Sequence, residues 1–193
     1  MDKLTIKNLL SLEEYDKQRD EIKSALIEHK KNRSVKIGEN LVLLFEDYET
    51  IKYQVQEMLR IEKIFNAKEI DEEISAYTSL IPDGNNLKAT MLIMYPDVDE
   101  RKVMLNKLHD LENNIWLKVD DGERIFAVAD EDLERSRDEK TSAVHFLRFQ
   151  LDNNSIEKFK LFEDVSFGTD HDNYNNETKL EKDIIISLSK DLK

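Results

Sequence analysis

The chain has 193 residues, 42 of them Asp or Glu and 29 Lys or Arg, for a net charge of −13. Leucine, isoleucine, valine and phenylalanine make up about 30% of it, above the level at which a highly charged chain stays unfolded, and the length fits one domain. With no cysteine there is no disulfide, thiolate nucleophile, cysteine-ligated zinc or iron–sulfur cluster, and so acidic a balance argues against nucleic acid, whose phosphates need clustered Lys and Arg.

In chain order, Ser11-Leu-Glu-Glu14 is a capping box that opens a helix running to about Lys31. Its basic end, His29 to Arg33, reads as cations complementing the helix dipole. Val35–Ile37 and Leu41–Glu46 read as strands joined by a tight turn at Gly38-Glu-Asn40. A second helix is expected from about Tyr48 to Phe65, and a third from about Lys68 to Leu80, capped by Asn66-Ala-Lys-Glu69. Leu87–Tyr95 has the apolar content of a buried strand, and Asp97 opens a fourth helix reaching about Leu111. Ile115–Val119 and Arg124–Ala129 flank Asp120-Asp-Gly-Glu123, a hairpin signal. Asp130–Lys140 carries nine charges in eleven residues and reads as an exposed segment, with 130–142 a flexible loop. Ala143–Leu151 alternates, with His145, Leu147, Phe149 and Leu151 on one side. Val165–Phe167 is a short strand, Gly168–Tyr174 a loop, and Thr178-Lys-Leu-Glu181 the cap of a last helix. Helices in blocks and strands in hairpins give an α+β fold: a single domain, 1–193, with a largely antiparallel sheet packed with about five helices.

The four glycines are too far apart for a dinucleotide fingerprint, a P-loop or a nucleophile elbow, and no Glu-x-x-His pair occurs for a di-iron bundle. No serine has a His and acid context for a nucleophilic hydrolase. The longest apolar run, Leu41–Phe45, is far below the ~20 residues of a membrane span. The start, Met1–Lys7, has no apolar signal core, and the protein is expected to be cytoplasmic.

Two charges fall on apolar helix faces. On a helical wheel Arg19 lies within the arc of Leu12, Tyr15, Ile22 and Leu26, and Glu62 within that of Ile51, Val55 and Leu59. A charge on a core-facing stripe must be paired, hydrogen-bonded or neutralised. Either Arg19 and Glu62 sit at edges or pair with each other, Glu46 or Glu57, or Glu62 with Glu57 or Glu46 lines a polar pocket. Glu57, Glu62 and Arg19 are therefore the candidate catalytic groups, and His145, Asp170 and His171 the candidate ligands of a divalent transition metal such as zinc, iron or manganese.

The sequence also resembles an uncharacterised bacterial family of about 190–200 residues, a domain of unknown function. The resemblance rests on Lys30-Lys31-x-Arg33-x-Val35-x-x-Gly38, Phe45-Glu46, Gln54-x-x-Glu57-Met58-x-Arg60-x-Glu62, Leu80-Ile81-Pro82, Ala89-Thr90 and Gly168-x-Asp170-His171-x-x-Tyr174. It covers nearly the whole chain and departs from the family pattern at Asp172, where the pattern has proline. Glu46, Arg60 and Tyr174 join the candidates as ligand-binding residues. The family has no established activity, and its genes tend to lie beside rubrerythrin-like and iron–sulfur oxidoreductase genes. The resemblance thus implies a redox or oxidative-stress setting. Two functions are in view: an accessory module that binds a protein partner, such as a redox enzyme subunit, and a metal-dependent or acid–base enzyme in which Glu57, Glu62, His145, Asp170 and His171 converge.

Overall fold

A computed structural model describes residues 3–131, 135–136, 140–161 and 164–193. Two antiparallel sheets carry the fold. In the first, strands β1 (Ser34–Ile37), β2 (Leu41–Glu46), β3 (Asn86–Ile93), β6 (Val128–Ala129) and β7 (Val144–Gln150) lie in the order β1-β2-β3-β7-β6. In the second, β4 (Ile115–Val119), β5 (Ile125–Phe126), β8 (Val165–His171) and β9 (Tyr174–Lys179) lie in the order β5-β4-β8-β9. Alternation selects the faces that meet. Phe167 of β8 reaches across to Phe45 of β2 and Phe149 of β7, each with ring centroids 5.1 Å away. The α5 (Asn153–Phe159) and α6 (Lys182–Ser189) helices add Ile156, Phe159, Ile185 and Leu188 to this core.

A second apolar cluster belongs to the helices α1 (Leu12–Lys31), α2 (Tyr48–Glu62) and α3 (Ala67–Thr78), with α4 (Val98–Lys107) lying elsewhere. Ile51, Val55 and Leu59 of α2 and Ile74 of α3 form its centre. The Ser11–Glu14 capping box forms as expected, and Asp47 caps α2 by accepting from Thr50 N at 2.9 Å. The fold is thus α+β with antiparallel sheets and six α-helices among the described residues. No helix of the described residues is long and apolar enough to cross a membrane.

Several local expectations change. Arg124–Ala129 does not stay one strand: Phe126 pairs with Trp116 in the second sheet, whereas Val128 pairs with Arg148 in the first, so the chain steps between sheets at Ala127. The Gly168–Tyr174 loop is instead the tip of the β8–β9 hairpin, with Thr169 opposite Asn176 and His171 opposite Tyr174. Thr178 lies in β9 rather than capping α6, which follows Glu181. Part of the charged 130–142 segment, 132–134 and 137–139, lies outside the described residues. Two glycines are fixed by their neighbours. Gly38 has φ +62°, and a Cβ there would meet the Tyr174 hydroxyl at 2.7 Å. At Gly168, opposite Trp116 in the ladder, a Cβ would strike the indole at 2.3 Å.

Candidate binding groove between the first two helices

Helices α1 and α2 run antiparallel, tied at both ends and parted between. At one end the Glu57 carboxylate accepts from Arg19 Nε at 2.7 Å and Nη2 at 2.9 Å, and from the Tyr15 hydroxyl at 2.6 Å. Arg60 Nε approaches it to 3.7 Å. The Arg19 guanidinium, aided by the Tyr15 hydroxyl, holds Glu57 down to about 2 against the opposing effect of burial. Burial first and the Glu57 carboxylate second push the Tyr15 phenol up, and burial likewise raises Tyr53.

At the other end His29 Nε2 lies 2.6 Å from Asp47 Oδ2, and the same oxygen is 3.3 Å from Arg33 Nε. Arg33 is buried to 2% exposure. Its guanidinium donates to the carbonyls of Phe45, Glu46 and Ser187 and pairs with Asp191 of the C-terminal segment. Burial pushes the Asp191 carboxyl up to about 6, against the pull of Arg33.

Between these ties lies an open groove of about 530 Å³. Ile22, Ala25 and Leu26 line it from α1, and Lys52 and Tyr53 from α2. Gln56 lies in its wall, but its amide is already taken: it accepts from Leu10 N at 2.9 Å and donates to Leu10 O at 3.1 Å. This pins the segment before α1 across the end of the groove.

The candidate residues disperse. Arg19 and Glu57 come together, as one of the pairings weighed from the wheel. Glu62 does not join them, and its core-facing position is corrected: it is exposed. It is the last residue of α2, where Lys63 turns left-handed with φ 55° and Ile64 N bonds Leu59 O at 3.0 Å. Ile64, not Glu62, takes the apolar side of that end. Glu46 is buried, with its two oxygens accepting from Thr50 Oγ1 at 2.6 Å and Thr90 Oγ1 at 2.7 Å. Tyr174 clamps the β1–β2 turn, donating to Ile37 O at 2.8 Å and accepting from Asn40 N at 2.9 Å.

Nor do the three expected metal ligands share a site. Asp170 accepts from Trp116 Nε1 at 3.1 Å and from Arg124 Nη1 at 2.6 Å, and Arg124 lies over the Trp116 ring. His171 is held by His109 O at 2.9 Å and by Asn173 N at 3.2 Å. His145 is fully buried in the other sheet, with Nδ1 2.6 Å from Asp130 Oδ2 and Nε2 2.7 Å from Thr141 Oγ1. With both ring nitrogens of each imidazole engaged, no lone pair stands ready for an ion. Among the described residues no three His, Asp or Glu side chains are grouped so that they could hold a metal. The convergence of Glu57, Glu62, His145, Asp170 and His171 is therefore corrected.

Two features had escaped the sequence reading. His29, which the sequence offers only as one of the cations at the end of α1, meets Asp47 across the groove end. Asp130, which the charge run places in an exposed segment, instead has a 9% exposed side chain beneath His145. The Asp130–His145–Thr141 order copies the connectivity of a hydrolase triad. However, Thr141 is 1% exposed and its hydroxyl also donates to Glu112 at 2.8 Å, which makes the cluster a buried clamp on β7.

The molecule is thus a two-sheet α+β fold with a groove between its first two helices. The chain belongs to the family described as a protein of unknown function, DUF3501, whose model matches residues 3–192. It is similar to a crystal structure of a novel protein of unknown function from Burkholderia pseudomallei K96243, at 47% identity over 100% of both chains with a TM-score of 0.94. No curated protein matches the chain.

Proposed function

We propose that this protein is an accessory subunit that binds a protein partner, and that it serves in a bacterial redox or oxidative-stress setting. The observation that carries the reading is the α1–α2 groove. Its volume lies in the range of natural binding clefts, and its floor is apolar where water gains least. The acids and imidazoles that an enzyme would use are engaged in the fold's own bonds: Glu57 with Arg19, Glu46 with two threonines, His145 with Asp130 and Thr141. The redox setting is what the family resemblance implies. A chain without cysteine brings no thiol or cluster of its own to such a pathway, which fits a supporting part beside the electron carriers.

The test is reconstitution. The purified protein is titrated calorimetrically with a rubrerythrin-like protein and with an iron–sulfur oxidoreductase, the two partner classes the resemblance implies, and each mixture is run on a sizing column. A complex with one of them, with Kd of about 1–10 µM, is expected. No heat and no co-elution with either at about 100 µM would overturn the redox assignment.

A further inference from the structure

Resting on the partner-binding reading, we infer that the α1–α2 groove receives an amphipathic helix with basic flanks, supplied by the partner. The shape argues for a helix. The lining residues of α1 run from Tyr15 to His29, about four turns or 21 Å of trough along the two helices. Ala25, in the middle of that row, lets another backbone approach closely. A third helix laid there would complete a bundle, with its ridge between those of α1 and α2.

The chemistry of the floor argues for an apolar ridge over a polar small molecule. Three of the polar side chains that reach the groove already have partners: Gln56 holds both backbone groups of Leu10, the Tyr15 hydroxyl donates to Glu57, and His29 meets Asp47. What remains open to a guest is the apolar run of Ile22, Ala25, the edge of Leu26 and the ring of Tyr53, together with the side chains of Gln18, Glu49 and Lys52.

Charge sets the flanks of the guest. Outside the lining row, α1 presents Glu14, Glu21 and Glu28, all exposed and seven residues apart, so that they follow one line along the lip. The Lys17 beside that line is paired with Glu13 at 2.8 Å, Glu28 itself is paired with Lys31 at 2.7 Å, and Glu14 accepts from Ser11 in the helix cap, so Glu21 is the carboxylate of this line left to a guest. Glu49 stands exposed on the α2 lip near the His29 end, with Lys52 one turn further along the same helix. Lysine or arginine at flanking positions of a docked helix would face these carboxylates as the e and g positions of a coiled coil do, and the −13 charge of the chain steers such a guest inward.

The probe is a fluorescein-labelled, amidated 14-residue peptide with leucines at i, i+3, i+4 and i+7 and lysines on both flanks. A second peptide has glutamates in place of the lysines. Anisotropy titrations use the wild type, Ala25→Gln, which fills the trough without changing charge, and Glu21→Lys/Glu28→Lys. Circular dichroism confirms that each variant is folded. The lysine peptide is expected to bind the wild type and to bind both variants at least tenfold more weakly, while the glutamate peptide gains affinity only for the double lysine variant. Equal binding to wild type and Ala25→Gln would show attraction to the acidic surface at large and overturn the inference, as would no binding to the wild type. The redox partner separates the two readings. If it binds Ala25→Gln as tightly as wild type, the groove assignment fails and the accessory role stands. If no redox partner binds but the peptide shows the expected pattern, the helix site stands and the setting fails.

Discussion

Near each end of the groove an arginine stands against a carboxylate, Arg19 against Glu57 in the tie itself and Arg33 against Asp191 behind the His29–Asp47 tie, with opposite consequences for the acid. Glu57 keeps 15% of its side chain in solvent and collects bonds from Arg19 and Tyr15; its ionised form is favoured, down to about 2. Asp191 retains 7%, and its partner Arg33 is shared among three backbone carbonyls. There burial outweighs the guanidinium, and the carboxyl rises to about 6. The difference teaches that an ion pair's worth is decided by how many donors converge on the acid and how much water each partner gives up. The exposed-side pair is a tie between helices; the buried one is a structural joint at which Arg33 collects the ends of β2 and α6.

The strongest way to break the comparison is Arg33→Ala. It leaves Asp191 buried without its cation and frees three carbonyls that lie 12 to 154 residues from Arg33 in sequence. Removing one partner of a buried pair costs about 3–5 kcal/mol, to be read as a fall in the urea midpoint at pH 7. A loss below about 1 kcal/mol would mean that the joint is ornamental.

The pH dependence separates the two ends by sign. Glu57 is lowered on folding, so its contribution is present above the unfolded carboxylate range and is lost as pH falls through about 2. Asp191 is raised, so its contribution is present below its unfolded value and is lost as pH rises through about 6. Urea unfolding of wild type, Glu57→Gln and Asp191→Asn from pH 3 to 8 is expected to show two opposite trends. The wild-type advantage over Glu57→Gln grows as pH rises from 3 to 5, and that over Asp191→Asn shrinks from pH 4 to 7. Each change amounts to at most about 3 kcal/mol. Parallel trends would refute the contrast.

How much of this was legible in the sequence follows from the range of each interaction. Arg19 was readable because a wheel needs only the neighbours Leu12, Tyr15, Ile22 and Leu26, and α1 is a regular helix for 20 residues. Glu62 was misread by the same wheel because α2 ends there; periodicity carries no notice of the left-handed turn at Lys63. Arg33 looked like one more cation at a helix end, since its partner Asp191 is 158 residues away and nothing local marks it. The alternation of β7 placed His145 inward but could not supply Asp130, which looked like the first member of a solvated charge run. β9, Tyr-Asn-Asn-Glu-Thr-Lys, alternates only in exposure and has no apolar residue after Tyr174, so it left no hydrophobic trace. The sheet partition at Ala127 depended on register across two sheets, which the Asp-Asp-Gly turn signal does not encode.

The finest test of the comparison is Tyr15→Phe, which removes one donor from Glu57 and leaves ring, helix and Arg19 in place. Tyr15 is 1% exposed, so the lost bond is to a charged acceptor in a water-poor site and is expected to cost about 1–2 kcal/mol. The same change should lift Glu57 from about 2 toward the ordinary carboxylate range, seen as a shifted midpoint for its carboxyl carbon in a ¹³C NMR titration. Arg19 remains the larger influence on that carboxylate, so the rise should be partial. A midpoint that stays put would assign the whole depression to the guanidinium and reduce the Glu57 end to a single pair, erasing the donor-count difference that sets it apart from Asp191.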